Sequence, residues 1–180
     1  MNQFKKLNNY VGWTIFLIAS FVYLSTVEQT ASLWDCGEFI SAAFKLEVVH
    51  EPGAPLFLMM GRIFTLFASD VTQVAVMVNS MSALASSFTI LFLFWTITAF
   101  GRKIYSKEGE LETSKMFAIL GAGIVGSLAY TFSDSFWFSA VEGEVYALSS
   151  FFTAVTFWCI LKWEEVADSP HASKWLVLIA

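Results

Sequence analysis

Long apolar runs dominate the 180-residue chain and restrict what it can fold into. They cover residues 10–27, 71–100, 116–133 and 145–161, and a further run starts at 175. A helix needs about 20 mainly apolar residues to cross the hydrocarbon core, where its backbone polar groups must bond within the helix. The chain is 57% hydrophobic and 14% charged, whereas soluble domains carry about 25% charged residues. The sequence therefore predicts an all-α membrane protein.

A shorter apolar run, PLFLMMGRIFTLFA at residues 55–68, differs from these spans because it contains Arg62. An arginine at the centre of a spanning helix costs about 2.5–3.5 kcal/mol on insertion scales, and the run is also too short to span. We therefore predict a helix that lies in the headgroup plane. It would belong to a polar segment with interfacial helices that covers residues 28–68.

The basic residues predict which ends of the spans face the cytoplasm. Lys5 and Lys6 place the N-terminus inside by the positive-inside rule. If residues 55–68 lie in the interface, the basic segment GRKIYSKEGELETSK (101–115) also lies inside, whereas a spanning 55–68 would place it outside. The polar segment 28–68 and the segment 133–148 then share the exoplasmic side, where their acids could meet in one cavity.

The stretch LWDCGEFISAAFKLEVVHEPGAPLF (33–57) concentrates polar residues between apolar segments. Its periodicity predicts an amphipathic helix over 32–46, on which Asp35 and Glu38 share the polar face. The pattern Ser32-x-x-Asp35 also fits a capping box, in which the acid bonds the N-cap amide. Asp35 is therefore a helix cap or a catalytic acid, and the pattern alone does not decide between them.

Other ionisable residues also have two interpretations. The prolines and glycine of HEPGAPLF predict a turn, in which His50 and Glu51 are either solvated or functional. Glu142 and Glu144 precede a membrane helix, and ionisable groups at membrane depth are costly and usually face a cavity. Glu144, which is followed by Tyr146, is the better candidate.

Two polar residues lie inside apolar segments. Arg62 could reach the surface along its alkyl chain, or it could bind a lipid phosphate. Asn79 is predicted to hydrogen-bond another helix.

The net charge and the cysteines exclude several classes of function. The net charge is −5 and the pI is about 4.9, whereas a nucleic-acid partner would need a basic face. Cys36 and Cys159 lie far apart and have no CxxC spacing. The sequence therefore predicts neither a disulfide framework nor a structural zinc site.

Exoplasmic carboxylates above a membrane cavity suit proton abstraction from an acceptor hydroxyl. A nearby basic group would stabilise a phosphate leaving group, so the pattern indicates glycosyl transfer from a polyprenyl-phosphate sugar. One alternative is a transporter or flippase for lipid-linked sugars, whose acids would couple ions near the bilayer midplane. A purely structural membrane subunit is another. The acids of this chain fall in surface segments, which favours the enzyme.

The order of motifs along the chain carries a resemblance. A first span is followed by WDCGEFISAAFKL, by HEPGAPLFLMMGRIFTLF, by a long span ending in FGRKIY, and by SFWFSAVEGEVYAL. This order resembles the N-terminal half of the membrane glycosyltransferases of the C superfamily. More closely, it resembles bacterial membrane proteins akin to the animal O-mannosyltransferase that modifies plexin-type receptor domains. Because the apolar run from 175 is unfinished at Ala180, we expect the chain to be the N-terminal part of such a multi-span fold.

The resemblance implies inverting transfer of mannose or a related hexose from a polyprenyl-phosphate carrier to Ser or Thr of an exported protein. By motif, Asp35 corresponds to the general base, and Glu38 supports the acceptor or orients Asp35. His50 matches the motif beside the donor phosphate, and Glu144 matches an acid that helps to hold the site. The predicted donor- and acceptor-binding residues are His50, Arg62, Glu144 and Tyr146.

The resemblance also implies a location and a set of partners. The protein would lie in the bacterial inner membrane with a cytoplasmic N-terminus and an exoplasmic active site, in contact with membrane lipids. Some members of the superfamily hold a divalent metal between acids, but the O-mannosyltransferase type has no obvious metal. We therefore expect no metal and no other cofactor.

Overall fold

A computed structural model describes residues 2–105 and 111–180, and within these ranges every regular element is helical. The elements are α1 (Asn2–Ser25), α2 (Cys36–Lys45), α3 (Pro55–Thr65), α4 (Val74–Tyr105), α5 (Thr113–Thr131), α6 (Asp134–Ala140), α7 (Val145–Glu164) and α8 (Ala172–Ile179). A short 3-10 turn, Val71–Gln73, precedes α4. The prediction of an all-α protein is confirmed. Residues 106–110 of the predicted basic segment lie outside the described ranges.

Among the described helices, α1, α4, α5 and α7 are long and apolar enough to cross a membrane, as in a multi-pass protein. Each of them overlaps one of the predicted spans. Helix α3 has 11 residues, so it extends only about 17 Å at 1.5 Å per residue, against a hydrocarbon core of about 30 Å. It is therefore too short to cross a membrane alone.

Helix α4 forms the centre of the bundle and packs against α1, α5 and α7. Half of the residues in the most apolar stretch of α4 are buried inside the protein (50%), compared with 22–28% in the corresponding stretches of the other three long helices. A helix that is apolar on all sides suits such a central position. Small residues allow close contact, because a Cβ on Gly123 of α5 would lie 2.7 Å from both Phe94 and Thr98 of α4.

Helices α1 and α5 both run antiparallel to α4. Gly12 of α1 lies against Trp95 of α4, and Phe16, which is later in α1, packs against Phe88, which is earlier in α4. Gly101, near the end of α4, lies against Ile119 near the start of α5. The N-terminus and the start of α5 therefore lie at the same end of the bundle as the end of α4.

Helix α7 runs in the same direction as α4. Gly143, just before α7, lies against Asn79 at the start of α4, and Arg102 at the end of α4 bonds Glu165 after α7 at 3.1 Å. The bundle thus has an acid end, which carries residues 26–55 and 131–145, and a basic end, which carries residues 2–9, 99–105 and 158–171. This is the division that the basic residues predict.

Candidate functional site

The polar segment after α1 folds over the starts of α4 and α7. Helix α2 begins at Cys36 with Asp35 as its N-cap residue, so the predicted helix over 32–46 starts too early. Asp35 makes no side-chain capping hydrogen bond. Ser32 instead donates to Oε2 of Glu142 at 2.5 Å and contacts Sγ of Cys36 at 3.1 Å. The capping-box interpretation is therefore wrong, because neither side chain bonds the start of α2 as that motif requires.

Asp35, Glu38 and His50 form an acid–histidine cluster on the surface of the acid end. The backbone N–H of His50 donates to Oε1 of Glu38 at 2.7 Å, and ring Nδ1 lies 2.8 Å from Oε2. The other ring nitrogen, Nε2, lies 4.0 Å from Oδ2 of Asp35. Phe39 packs edge-on against the imidazole, with ring centroids 5.9 Å apart. Glu38 therefore holds the histidine so that its second nitrogen faces Asp35.

The hydrogen bonds shift the ionisation of this cluster. The bond from His50 lowers the pKa of Glu38, and the same bond, with the charge of Glu38 and then of Asp35, raises the pKa of His50. A carboxylate in this position accepts the proton of Nδ1, so an imidazolium directs its Nε2–H toward Asp35. The side chains of all three residues are about half exposed (54%, 41% and 52%), so solvent reaches the cluster.

Two buried carboxylates lie beside the cluster. Glu142 and Glu144 are each only 6% exposed. Glu142 accepts the hydrogen bond from Ser32. Glu144 is the N-cap of α7 and accepts from the backbone N–H of Val145 at 3.1 Å. Burial raises the pKa of Glu144, and the nearby carboxylates of Asp35 and Glu142 raise it further.

Asn79 ties the segment after α1 to the start of α4. Its amide Nδ2 donates to the carbonyls of Glu28 at 2.7 Å and Thr30 at 3.0 Å. The expected helix–helix hydrogen bond of Asn79 is therefore wrong, since its described partners lie in a loop. The backbone N–H of Glu28 in turn donates to the carbonyl of Val141 at 3.0 Å. The loop, α4 and the segment with Glu142 and Glu144 are thus held together.

A cavity of about 370 Å³ opens between these elements. Asp35, Glu142, Glu144 and Tyr146 line it, together with Trp34. Trp34 is 89% exposed and has a φ of 65°, a backbone conformation that bulky residues rarely adopt and that tends to cluster at functional sites. The structure therefore brings Glu144 and Tyr146 to one cavity with Asp35, and it adds Trp34, which the sequence pattern did not single out.

Arg62 lies elsewhere. Its Nη1 donates to the carbonyl of Phe44 at 2.8 Å, and its guanidinium lies over the Phe44 ring at 5.4 Å from the centroid. Phe44 belongs to the last turn of α2, whereas Asp35 precedes the first. Arg62 thus satisfies the C-terminal end of α2, and the structure does not bring it to the cavity.

The acid–histidine cluster also has a donor set that a metal ion could use. One donor atom each from Asp35, Glu38 and His50 lies within 4.8 Å of the others, and carboxylates with imidazole suit several divalent metals. The hydrogen bonds between Glu38 and His50 already account for the close approach of these two residues.

Comparisons with known proteins identify a family and two named relatives. The family described as "Protein O-mannosyl-transferase TMEM260 N-terminal domain" matches residues 35–180. The chain is 28% identical over 161 residues to the Mus musculus protein named "Protein O-mannosyl-transferase TMEM260", an alignment that covers 89% of the chain and 20% of that protein. It is 26% identical over 142 residues to the Dictyostelium discoideum protein named "Protein O-mannosyl-transferase tmem260", covering 78% of the chain and 15% of that protein.

The chain thus matches only a small part of the length of these relatives. No solved structure matches it. The family match extends from the catalytic candidate Asp35 to Ala180 and so includes most of the site and more than half of the sequence. The chain belongs to the family of protein O-mannosyl-transferase TMEM260 N-terminal domains.

Proposed function

We propose that the full-length protein is an inverting membrane glycosyltransferase, with Asp35 as its general base. It would move mannose or a related hexose from a polyprenyl-phosphate carrier to Ser or Thr of an exported protein. The observation that carries this proposal is the position of Asp35, which belongs both to the acid–histidine cluster and to the cavity that Glu144 lines. The names of the relatives support an O-mannosyl-transferase. We further assign the protein to the C superfamily and to the bacterial inner membrane, with the acid end exoplasmic.

The proposed reaction gives roles to Asp35 and to the neighbouring His50. A carboxylate oxygen of Asp35 accepts the proton of the acceptor hydroxyl while the hydroxyl oxygen attacks C1 of the sugar. The C1–O bond to the phosphate breaks on the opposite face, the polyprenyl phosphate leaves with the bonding electrons, and the anomeric configuration inverts. His50, held by Glu38, supplies positive charge beside the reacting groups, where charge develops on the leaving phosphate. No step requires a metal ion.

Two features support a lipid-linked sugar as the donor. Trp34 and Tyr146 offer aromatic faces at the cavity with Asp35, and such rings pack well against sugar rings or peptide segments because they are large and amphipathic. A second, mainly apolar cavity of about 510 Å³ lies between α4, α5 and α7. It extends along the spans from Tyr130 and Ser149, near the acid end, to Phe157, as a site for an isoprenoid chain would.

The positions of the acids favour transfer over transport. Asp35, Glu38 and His50 lie outside the four long helices, and Glu144 lies just before α7. A transporter that couples ions would place such groups near the bilayer midplane. The surface position of the cluster instead suits an acceptor that arrives from the aqueous side.

The test uses membranes that contain the full-length protein, labelled polyprenyl-phosphate hexose and exported proteins as acceptors. Asp35→Asn keeps the size of the side chain but cannot take a proton, so transfer should fall by about 10²–10⁴-fold. Glu47→Gln is the matched control, because Glu47 is an exposed carboxylate after α2 that pairs only with Lys45 at 3.8 Å among the described residues. Equal transfer by Asp35→Asn and wild type at equal expression would contradict the role of Asp35. Uptake of the labelled lipid without transfer would favour the transporter.

A further inference from the structure

The basic end of the bundle holds another cavity, of about 360 Å³. It lies between the start of α1 and the ends of α4 and α7, and it is separated from the acid end by the length of the spans. Its charged lining residues are Lys5, Arg102, Lys162 and Glu165. The proposed transfer reaction uses none of them.

The charges of this cavity are arranged around a single acid. Glu165 accepts from Nη2 of Arg102 at 3.1 Å and from Nζ of Lys162 at 3.0 Å. Both cations are partly buried, with side chains 32% and 27% exposed. Lys5 is exposed and forms no ion pair with the residues that the structure describes. Three cations and one carboxylate leave an excess positive charge of two on the lining, so the cavity favours an anion.

The apolar part of the lining is aromatic. Trp95 and Trp158 line the cavity with their ring centroids 5.6 Å apart, and Nζ of Lys162 lies 5.6 Å from the Trp158 centroid. Tryptophan at the ends of membrane helices typically lies at the level of the lipid headgroups. The cavity therefore combines cations and aromatic rings at the depth where a phospholipid changes from headgroup to acyl chain.

We propose that this cavity binds the phosphate group of an anionic glycerophospholipid. Basic pockets between membrane helices on the cytoplasmic side typically bind such headgroups, and the basic residues predict that this end is cytoplasmic. Arg102 and Lys162 keep donors that Glu165 does not use, since a guanidinium has five and an ammonium three. Asn8 also lines the cavity, and its Oδ1 accepts no hydrogen bond from the described residues. A headgroup that carries hydroxyls beside its phosphate, as phosphatidylglycerol does, could donate to it.

A bound lipid would connect α1 to α4 and α7, which the ion pair between Arg102 and Glu165 already joins at this end. Because a ligand that binds only the folded state stabilises it, phosphatidylglycerol should raise the unfolding temperature of the full-length protein in detergent. Phosphatidylcholine, whose headgroup has no net charge, should raise it less. This inference does not depend on the proposed transferase activity, because binding and stability are measured without the reaction.

The test measures phosphatidylglycerol retained by the purified full-length protein in native mass spectrometry. Lys5→Gln should weaken retention about fivefold, the effect of one basic residue near an anionic headgroup. Lys6→Gln is the matched control, since Lys6 is the next residue but lines a different surface with Gln3, Leu7 and Tyr10. It should leave retention within about twofold of wild type.

A second variant removes one cation of the cavity and leaves Glu165 paired with Lys162 at 3.0 Å. Arg102→Gln lowers the excess positive charge of the lining from two to one and removes a phosphate donor, so it should weaken both lipid retention and the stabilisation by phosphatidylglycerol. Equal effects of Lys5→Gln and Lys6→Gln, or equal retention of phosphatidylglycerol and phosphatidylcholine, would overturn the proposal. Displacement of the lipid by millimolar inorganic phosphate alone would overturn it too, because the site would then hold a soluble phosphate.

Discussion

Gly143 lies between the two buried carboxylates, and Gly143→Ala should disturb both the fold and the site. A Cβ at this position would lie 2.8 Å from Oδ1 of Asn79, 3.1 Å from Cγ1 of Ile40 and 3.3 Å from Cγ1 of Val78. These neighbours belong to α2 and α4, so the glycine is the point where both helices contact the segment before α7. Its φ lies outside the left-handed region, and the cost of alanine is therefore one of space rather than of backbone strain.

The neighbours of Gly143 have little freedom to move. The amide of Asn79 is fixed by its hydrogen bonds to the carbonyls of Glu28 and Thr30, and Val78 is fully buried. Overpacking of such a contact typically costs about 1–3 kcal/mol. We expect Gly143→Ala to lower the free energy of unfolding by this amount. The displaced segment carries Glu142 and Glu144, so transfer activity should fall as well.

The assay is thermal unfolding of the purified full-length protein, with transfer activity measured on the same samples. Gly121→Ala is the matched control, because nothing lies within 4 Å of a Cβ built on Gly121 of α5. Alanine favours a helix over glycine by about 1 kcal/mol, so this control should be neutral or stabilising. Equal unfolding temperatures and activities for the two variants would show that the contact of Gly143 with Asn79 is not tight, and the argument would fail.

Three further predictions concern the site and the membrane. Glu38→Gln should lower the raised pKa of His50, so the limb of the pH–rate profile that His50 controls should move to lower pH. If the acid end is exoplasmic, Val48→Cys, at a position that is 90% exposed, should react with an impermeant maleimide added outside intact cells when the native cysteines are replaced. Ala154→Trp should fill the cavity between α4, α5 and α7 and raise the KM for the lipid-linked donor about tenfold, with little change for the acceptor.

The bond between Glu38 and His50 also makes local stability depend on pH. The pKa of His50 is raised, so its contribution is fully present below its ordinary pKa near 6.5 and is lost as the pH rises through the raised value. The pKa of Glu38 is lowered, so its contribution is present above its ordinary range and is lost as the pH falls through the lowered value. The pair is therefore most stabilising between these limits, and α2 should exchange its amide protons faster on either side.

Much of the fold could be predicted because only a few backbone structures satisfy their hydrogen bonds within a membrane. Apolar runs of sufficient length must become helices, and the lysines and arginines divide the connecting segments into two groups. The structure places these groups at opposite ends of one bundle. The start of α2 could not be predicted in this way, because Ser32 has a partner 110 residues away in Glu142. A hydrogen bond between residues so far apart in the chain produces no periodic pattern in the sequence.

The candidate site was predicted in part, for similar physical reasons. Asp35 and Glu38 lie three residues apart, so one helical turn brings them together. The turn before α3 then reverses the chain and places His50 beside both acids. The sequence alone could not predict that Arg62 bonds the carbonyl of Phe44 at the end of α2. A guanidinium could equally have bound an acid of the cavity. The sequence also could not predict that Trp34 is exposed beside Asp35, because the sequence pattern around a tryptophan does not distinguish an exposed side chain from a buried one.

The carboxylates of the acid end look equivalent in the sequence, but their surroundings assign them different proton affinities. Glu38 accepts two hydrogen bonds from His50, which lower its pKa, whereas burial raises the pKa of Glu144. Environments that push the pKa values of neighbouring acids apart are how enzymes separate a proton acceptor from a group that keeps its proton. Asp35 lines one cavity with Glu144, and its Oδ2 lies 4.0 Å from Nε2 of His50. Gly143 precedes Glu144 and packs closely against Asn79 and Val78, so the activity of Gly143→Ala tests whether this contact maintains the buried surroundings of Glu144.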